Sequence, residues 1–217
     1  MKLKDAVMYL EELKGRKFED IFSEEQLKDI IKNKGKSGQI IELAIGLKNT
    51  NVTLDFEDGE LKTNKCDNKS KPLETMFITQ ISTMIDDLLK GKNFEECKVF
   101  KKISNLLYVP ICKVGEPKEW FIIDAININL NEDKHKKLKA QLEEDYYSIC
   151  KQLKEHIETS NDGFIHTSNG KYIQIRSKDS KPYFSIYSKV YDRYISNKNH
   201  AFYFKKEFMK YILDMDK

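Results

Sequence analysis

The chain is poor in features that would narrow its role at once. No apolar run approaches the ~20 residues that a membrane-spanning helix needs, so no membrane partner is expected. The first 21 residues, MKLKDAVMYLEELKGRKFEDI, mix Glu and Asp with Lys. A secretory leader needs an uninterrupted apolar core and a small-residue cleavage site, so this start reads as structural helix, and a cytoplasmic protein is expected. The cysteines, Cys66, Cys97, Cys112 and Cys150, lie far apart with no C-x-x-C pair. The short local spacings of a zinc site are missing, and reduced thiols are expected. His135, His156, His166 and His200 form no pair in the sequence, which argues against a histidine-built metal centre. Internal repeats and low-complexity tracts are absent too.

Arginine is the scarcest cation. Only Arg16, Arg176 and Arg193 stand among 38 basic residues. The excess of Lys, Asn and Ile has the look of AT-rich coding, so a lysine-rich face says little and a well-placed arginine says more. Net charge is only +3, so a surface for a polyanion must come from local clustering. What is present is globular: 217 residues, 40% hydrophobic and 34% charged, enough for one large domain or two closely packed lobes.

Residues 3–14 place Leu3, Ala6, Val7, Leu10 and Leu13 on one helical face. Ser23-Glu-Glu-Gln26 reads as a capping box opening a helix through Ile31. KNKGKSG (32–38) reads as a Gly and Lys loop, and Gln39 to Leu47 as a buried helix interrupted by Glu42. Strands are expected over Val52–Phe56 and Gly59–Thr63, flanking a short acidic turn, and over Leu73–Ile81. Asn105–Cys112 and Trp120–Ile128 follow, with Gly115-Glu-Pro117 between them. The only tryptophan, Trp120, is expected in the core. A long helix (131–160), a strand (Lys171–Arg176), a short strand (Ala201–Phe204) and a helix to Leu213 complete an α/β (α+β) reading, a mixed sheet flanked by helices.

The chemically informative stretch is Leu54-Asp-Phe-Glu-Asp-Gly-Glu-Leu-Lys62. Glu60 and Lys62 are two apart and leave a strand on one face; Asp55 can return to that face across the turn. Two carboxylates and an ammonium at a strand edge suit phosphodiester hydrolysis. The acids offer hard oxygens to Mg²⁺, which lowers the pKa of a bound water, and the lysine can orient that water or neutralise the developing oxyanion. The competing reading is a solvated hairpin with a cross-strand ion pair worth about 0.2–1 kcal/mol, and on spacing alone it is the stronger. Glu42 tips the balance. A carboxylate on an apolar helix is costly unless it meets a cation or a donor, and its helix directly precedes Asp55.

With these residues in view, the sequence resembles the family that joins the MutH mismatch-repair nicking enzyme with restriction endonucleases cutting at GATC. The collinear segments are Leu13-Lys-Gly-Arg-Lys-Phe-Glu-Asp-Ile21, Lys34-Gly-Lys-Ser-Gly38 leading to Glu42, Asp55-Phe56, and Gly59-Glu-Leu-Lys-Thr63. Pro72-Leu-Glu-Thr-Met-Phe77, Leu107-Tyr-Val-Pro110, Glu144-Asp-Tyr146, Tyr172-Ile-Gln-Ile-Arg-Ser-Lys178 and Phe202-Tyr-Phe-Lys-Lys-Glu-Phe208 continue them. The resemblance implies the PD-(D/E)xK nuclease fold over 1–217, with two lobes (about 1–115 and 116–217) forming a DNA cleft. It implies Mg²⁺ at Asp55 and Glu60, catalysis by Asp55, Glu60 and Lys62 supported by Glu42, and DNA contacts from Lys34, Arg176, Lys178 and Tyr203. The turn from Asp55 to Glu60 is shorter by about two residues than in the repair enzyme. Ser104 stands where that enzyme has a further lysine; Lys102 would replace it if the following strand extended back.

Arg176 ends an apolar strand, and a guanidinium fork can bond O6 and N7 of guanine together. The resemblance assigns it and Lys178 to site recognition, and Tyr203 to the base edge where adenine methylation is sensed. A surface ion pair for Arg176 and a core role for Tyr203 are the alternatives. Phe77 is expected in the core. Lys205 and Lys206 open the last helix, where the helix dipole disfavours cations, which hints at a phosphate partner. The functional expectation is a Mg²⁺-dependent type II restriction endonuclease acting on double-stranded DNA at GATC or a near relative, as a monomer or a transient dimer. The alternatives are a repair nickase acting on the unmethylated strand with a MutL-type partner, and a DNA-binding module without catalysis.

Overall fold

The computed structural model of the protein describes residues 1–32, 36–47, 54–178 and 181–215. In chain order the elements are α1 (Leu3–Leu13), α2 (Glu24–Lys32), α3 (Lys36–Ala44), β1 (Glu60–Cys66), β2 (Met76–Gln80), α4 (Ile85–Leu89) and α5 (Lys98–Ile103). Then come β3 (Asn105–Cys112), β4 (Phe121–Ile122), β5 (Ile126–Asn129), α6 (Lys136–Thr159), β6 (Ser168–Asn169) and β7 (Ile173–Ser177). The last are β8 (Ile186–Ser188), β9 (Arg193–Ser196), β10 (His200–Phe204) and α7 (Lys206–Asp214). No described helix is long and apolar enough to cross a membrane. The chain divides into two compact units. One holds Met1–Met76, Ile103–Asn131 and Lys210–Lys217; the other holds Phe77–Lys102 and Glu132–Met209.

The first unit is built on a mixed sheet in the order β1-β3-β4, with β5 also paired to β3. β1 and β3 run parallel, Leu61 opposite Leu107 and Thr63 opposite Val109. The period of two sends Leu61, Leu107, Val109 and Ile111 to one face. There they meet Leu3, Ala6, Leu10 and Leu13 of α1 and Ile41 of α3 in one buried cluster. Each such side chain contributes about 1.5–3 kcal/mol when fully buried. α1 keeps its amphipathic register and ends at Gly15, whose φ of +74° is open to glycine at no steric cost. The chain then turns so that Phe18, wholly buried, donates its N–H to the Trp120 carbonyl at 2.7 Å. Trp120 itself is only half-buried, packed at the margin of this cluster. The capping box at α2 is present: Ser23 N–H donates to Gln26 Oε1 and Gln26 N–H to Ser23 Oγ.

The second unit has an antiparallel sheet, β2-β10-β7-β6, and a separate hairpin of β8 and β9. Its long helix α6 buries Leu138, Leu142, Tyr146, Ile149, Leu153 and Ile157 at helical spacing. Asp145 is buried among them, 3% exposed. Its Oδ1 accepts the Lys171 N–H, and its Oδ2 accepts those of Tyr172 and Ile173. A Cβ on Gly170 would lie 2.4 Å from that carboxyl carbon, so only glycine lets the β6–β7 turn come so close. Asp145 thereby fixes the start of β7 against α6.

Several expectations are corrected. The described part of the first strand expected, Leu54–Phe56, is bend rather than strand, because β1 takes its partner from β3 and not from the segment just before it. α3 begins at Lys36, so the end of the presumed Gly and Lys loop is helical; Lys34 lies outside the described residues. Trp120–Ile128 is broken into β4 and β5. Lys102 belongs to α5 and β3 starts at Asn105, so the strand does not extend back to place Lys102 as a substitute for the residue at Ser104.

Candidate active site

The acid-bearing segment is a tight turn before β1, tied down at several points. Phe56 N–H donates to the Gly59 carbonyl at 2.9 Å, and Leu61 N–H donates to Asp55 Oδ2 at 2.9 Å. Asp58 Oδ1 accepts the Leu3 N–H at 2.8 Å, which anchors the turn to the start of α1. Its carbonyl accepts Asn105 Nδ2–H at 2.7 Å, which anchors it to β3. A Cβ on Gly59 would lie 2.6 Å from the Asn105 carbonyl oxygen and 2.6 Å from Leu3 Cδ1, so nothing larger than hydrogen fits between turn and strand. Sequence reasoning passed over Gly59, Asp58 and Asn105, which shape the site without carrying charge to the reaction. The glycine beside two acids was the available signal.

Glu60 and Lys62 share the face of β1 opposite the apolar cluster, as the period of two requires. Lys62 Nζ donates to Glu60 Oε1 at 2.7 Å, and the side chains are 16% and 4% exposed. This is the ion pair expected of the segment, but it joins alternate residues of one strand rather than two strands of a hairpin. Taking such a pair out of water is expensive, and it persists because the partners are close and charge-assisted. Asp55 spends one oxygen on the Leu61 N–H; its Oδ1 accepts no hydrogen bond among the described residues.

Glu42 on α3 lies near enough for these charges to act on it. Burial raises its pKa above the ordinary carboxylate value, the neighbouring Asp55 and Glu60 raise it further, and Lys62 opposes them. α3 and β1 approach closely, since a Cβ on Gly38 would meet Thr63 Oγ1 at 3.3 Å. Among the described residues, three carboxylates thus gather about the Lys62 ammonium. Among the described residues no three Asp, Glu, His or Cys side chains already stand as a metal cage. The donor set is nonetheless all hard oxygen, which suits a small divalent cation that takes its other ligands from water and phosphate. Burial raises the thiols of Cys66 to about 11 and Cys150 to about 12, so neither supplies a thiolate nucleophile at neutral pH.

The residues expected to read a partner stand together in the second unit. Arg176 on β7 sits with its guanidinium carbon 4.5 Å from the centre of the Tyr203 ring on β10. Phe77 on β2 meets the same ring edge-on at 5.7 Å, and Lys178 Nζ lies 5.5 Å over Phe77. Tyr203 is buried, whereas Phe77 is 38% exposed, which corrects its expected place in the core. Arg176 Nε is buried without a hydrogen-bond partner among the described residues. Lys205, read as a hint of phosphate, donates from Nζ to the Gly170 carbonyl at 3.0 Å. His156 and His166, unpaired in the sequence, come together with ring centroids 5.4 Å apart; burial and then the His166 charge lower the His156 pKa.

A Glu-x-Lys pair opening a strand of a mixed sheet, with a turn-borne Asp before it, is the arrangement of a PD-(D/E)xK nuclease. Residues 47–141 match the family model of MutH, described as "DNA mismatch repair enzyme MutH". That stretch, less than half of the chain, is similar to the MutH family, which supports a PD-(D/E)xK nuclease fold. It contains Asp55, Glu60 and Lys62; Glu42, Arg176, Lys178 and Tyr203 lie outside it. No curated protein matches the chain significantly.

Proposed function

We propose that this protein is a Mg²⁺-dependent, sequence-specific endonuclease that cuts GATC or a closely related site, acting as a type II restriction enzyme. The observation that carries the reading is the grouping of Glu42, Asp55 and Glu60 with Lys62, inside or beside the segment that matches the MutH family model. A bound divalent ion supplies Lewis-acid stabilisation of the phosphate and a water acidic enough to attack near neutral pH. Asp55, with Oδ1 available among the described residues, and Glu60 would hold that ion, with Glu42 supporting them from α3. Lys62, oriented by Glu60 Oε1 at 2.7 Å, keeps two N–H groups to direct the water or meet the charge growing on phosphate.

Arg176, Lys178 and Tyr203 read the DNA. Because Arg176 Nε is buried, its terminal Nη groups form the end of the fork that can meet a guanine edge. Lys34 contacts the backbone in this reading. The family description favours a second reading, a nickase on the unmethylated strand recruited by a MutL-type partner.

Supercoiled plasmid and short duplexes carrying GATC in unmethylated, hemimethylated and fully methylated form test both. Double-strand cleavage with Mg²⁺ alone, abolished in Lys62→Ala, supports restriction. Nicking that needs a repair ATPase supports the second reading, and plasmid left intact by the wild type under all conditions rejects nuclease function.

A further inference from the structure

The segment 181–199 is aromatic and basic in a way that the endonuclease reading leaves unused. Tyr183, Phe184, Tyr187 and Tyr194 are 44%, 62%, 44% and 60% exposed. β8 and β9 pair antiparallel with Tyr187 opposite Tyr194. Ile186, Ser188, Ile195 and Ser196 are buried, which leaves the two tyrosines outward with rings 5.3 Å apart. Large apolar rings held outward cost solvation and mark contact surfaces when they cluster.

The hairpin is braced from beneath. Asp86 Oδ1 accepts Ser188 Oγ–H at 2.8 Å and the Lys189 N–H at 3.0 Å. Tyr191 donates to Glu158, and Arg193 donates to the Ile157 carbonyl. The preceding loop is tied to the base-reading strand through one side chain. Asn199 Oδ1 accepts the Phe184 N–H and its Nδ2 donates to the Pro182 carbonyl, while its own carbonyl accepts the Lys178 N–H at 2.8 Å. The exposed rings therefore stand just beyond the end of β7, in the same unit as Arg176 and Lys178. Lys181, Lys189, Arg193 and Lys198 are exposed in the segment against a single acid, Asp192, whose carboxylate is hydrogen-bonded by Tyr187.

We propose that this braced aromatic and basic hairpin is a second DNA contact, which holds the substrate flank running outward from the recognised site. The inference rests on the endonuclease reading above. Its lysines meet phosphates, each releasing condensed counterions, and its rings pack on deoxyribose and base faces, which is sequence-tolerant. Charge selects this occupant: the exposed segment carries four cations against Asp192, while Asp86 and Glu158 are engaged as its braces, which complements a polyanion, whereas a second copy of the chain would bring like charge to like.

Binding is measured with Ca²⁺ in place of Mg²⁺ on two duplexes with the same centre, one ending just outside GATC and one extended by a full helical turn on each side. The Phe184→Ala/Tyr194→Ala variant is expected to lose about tenfold affinity for the long duplex while keeping the short one and its cleavage within about twofold. Lys181→Ala/Lys189→Ala/Lys198→Ala is expected to lower the salt slope by about 2–3 on the long duplex only. An unchanged long-duplex affinity in both variants overturns the inference, as does equal loss on both lengths or a change in oligomeric state in its place. A wild type that neither binds nor cuts either duplex overturns the endonuclease reading, which is a separate outcome.

Discussion

Lys62 holds two loads at one atom in the proposed mechanism, since the ammonium assigned to the reaction is also an ion-pair partner of Glu60, 4% exposed at its side chain. Lys62→Ala is therefore expected to lower cleavage by about a hundredfold or more and to destabilise the fold by about 1.5–3 kcal/mol, because it removes a charge-assisted partner of buried Glu60. Plasmid nicking and urea unfolding measure the two effects. Mg²⁺ should restore part of the lost stability by replacing the missing positive charge.

Glu42 behaves in the opposite sense. Its folded pKa is raised, so the fold binds its proton more tightly than the unfolded chain does. That contribution to stability is fully present below the ordinary glutamate value and is lost as pH rises through the raised folded value. Glu42→Gln should accordingly make the metal-free protein more stable at neutral pH and flatten this part of its pH dependence. It should also weaken Mg²⁺ uptake. Melting curves from acid to neutral pH, with and without Mg²⁺, test the sign; a variant less stable than wild type at neutral pH without metal contradicts it.

Two glycines and one acid decide how the elements sit within their units. Gly59→Ala forces a Cβ to within 2.6 Å of a backbone carbonyl, and overpacking of this kind costs about 1–3 kcal/mol. Asp145→Ala leaves the N–H groups of Lys171, Tyr172 and Ile173 without their acceptor, at about 1–3 kcal/mol for each buried donor. Hydrogen exchange should show the loss of protection confined first to the start of β7. Affinity for GATC should fall with it, because that strand carries Arg176.

Much of this architecture was legible where it is local. The heptad-like face of α1, the Ser23–Gln26 box and the continuous apolar run of β3 announce themselves, since each is set by neighbours in sequence. The Asp55, Glu60 and Lys62 spacing was legible for the same reason. Pairing over distance was not. Nothing in 52–56 tells that β1 will choose β3, and the short β8–β9 hairpin buries Ser188 and Ser196 beside Ile186 and Ile195, which blurs the apolar rhythm that marks a strand. Its brace, Asp86 to Ser188, spans 102 residues. The Asp145 clamp was visible only as a motif without a stated role.

Across the molecule, the proposed function gives each chain a single catalytic group of Glu42, Asp55, Glu60 and Lys62, whereas its proposed target, GATC, reads the same on both strands. One chain can therefore cut one strand per encounter. At limiting protein, nicked circles should accumulate before linear plasmid appears, and the linear product should rise more steeply with protein concentration. Gel time courses over a dilution series measure this; linear product formed from the outset at the lowest concentration would mean a stable pair of chains.

The wedge of space at Gly59 also limits how the catalytic loop can be re-engineered. Between Asp55 and Lys62 almost every position is committed: Asp55 and Phe56 to inward hydrogen bonds, Asp58 to α1 and β3, Gly59 to mere clearance. Glu57, exposed at the tip, is tied to Met1: its N–H donates to the Met1 carbonyl at 3.3 Å and its Oε1 accepts from the N-terminal ammonium at 2.8 Å. Length added anywhere along the turn therefore breaks at least one of these anchors, and urea unfolding should show it as lost stability.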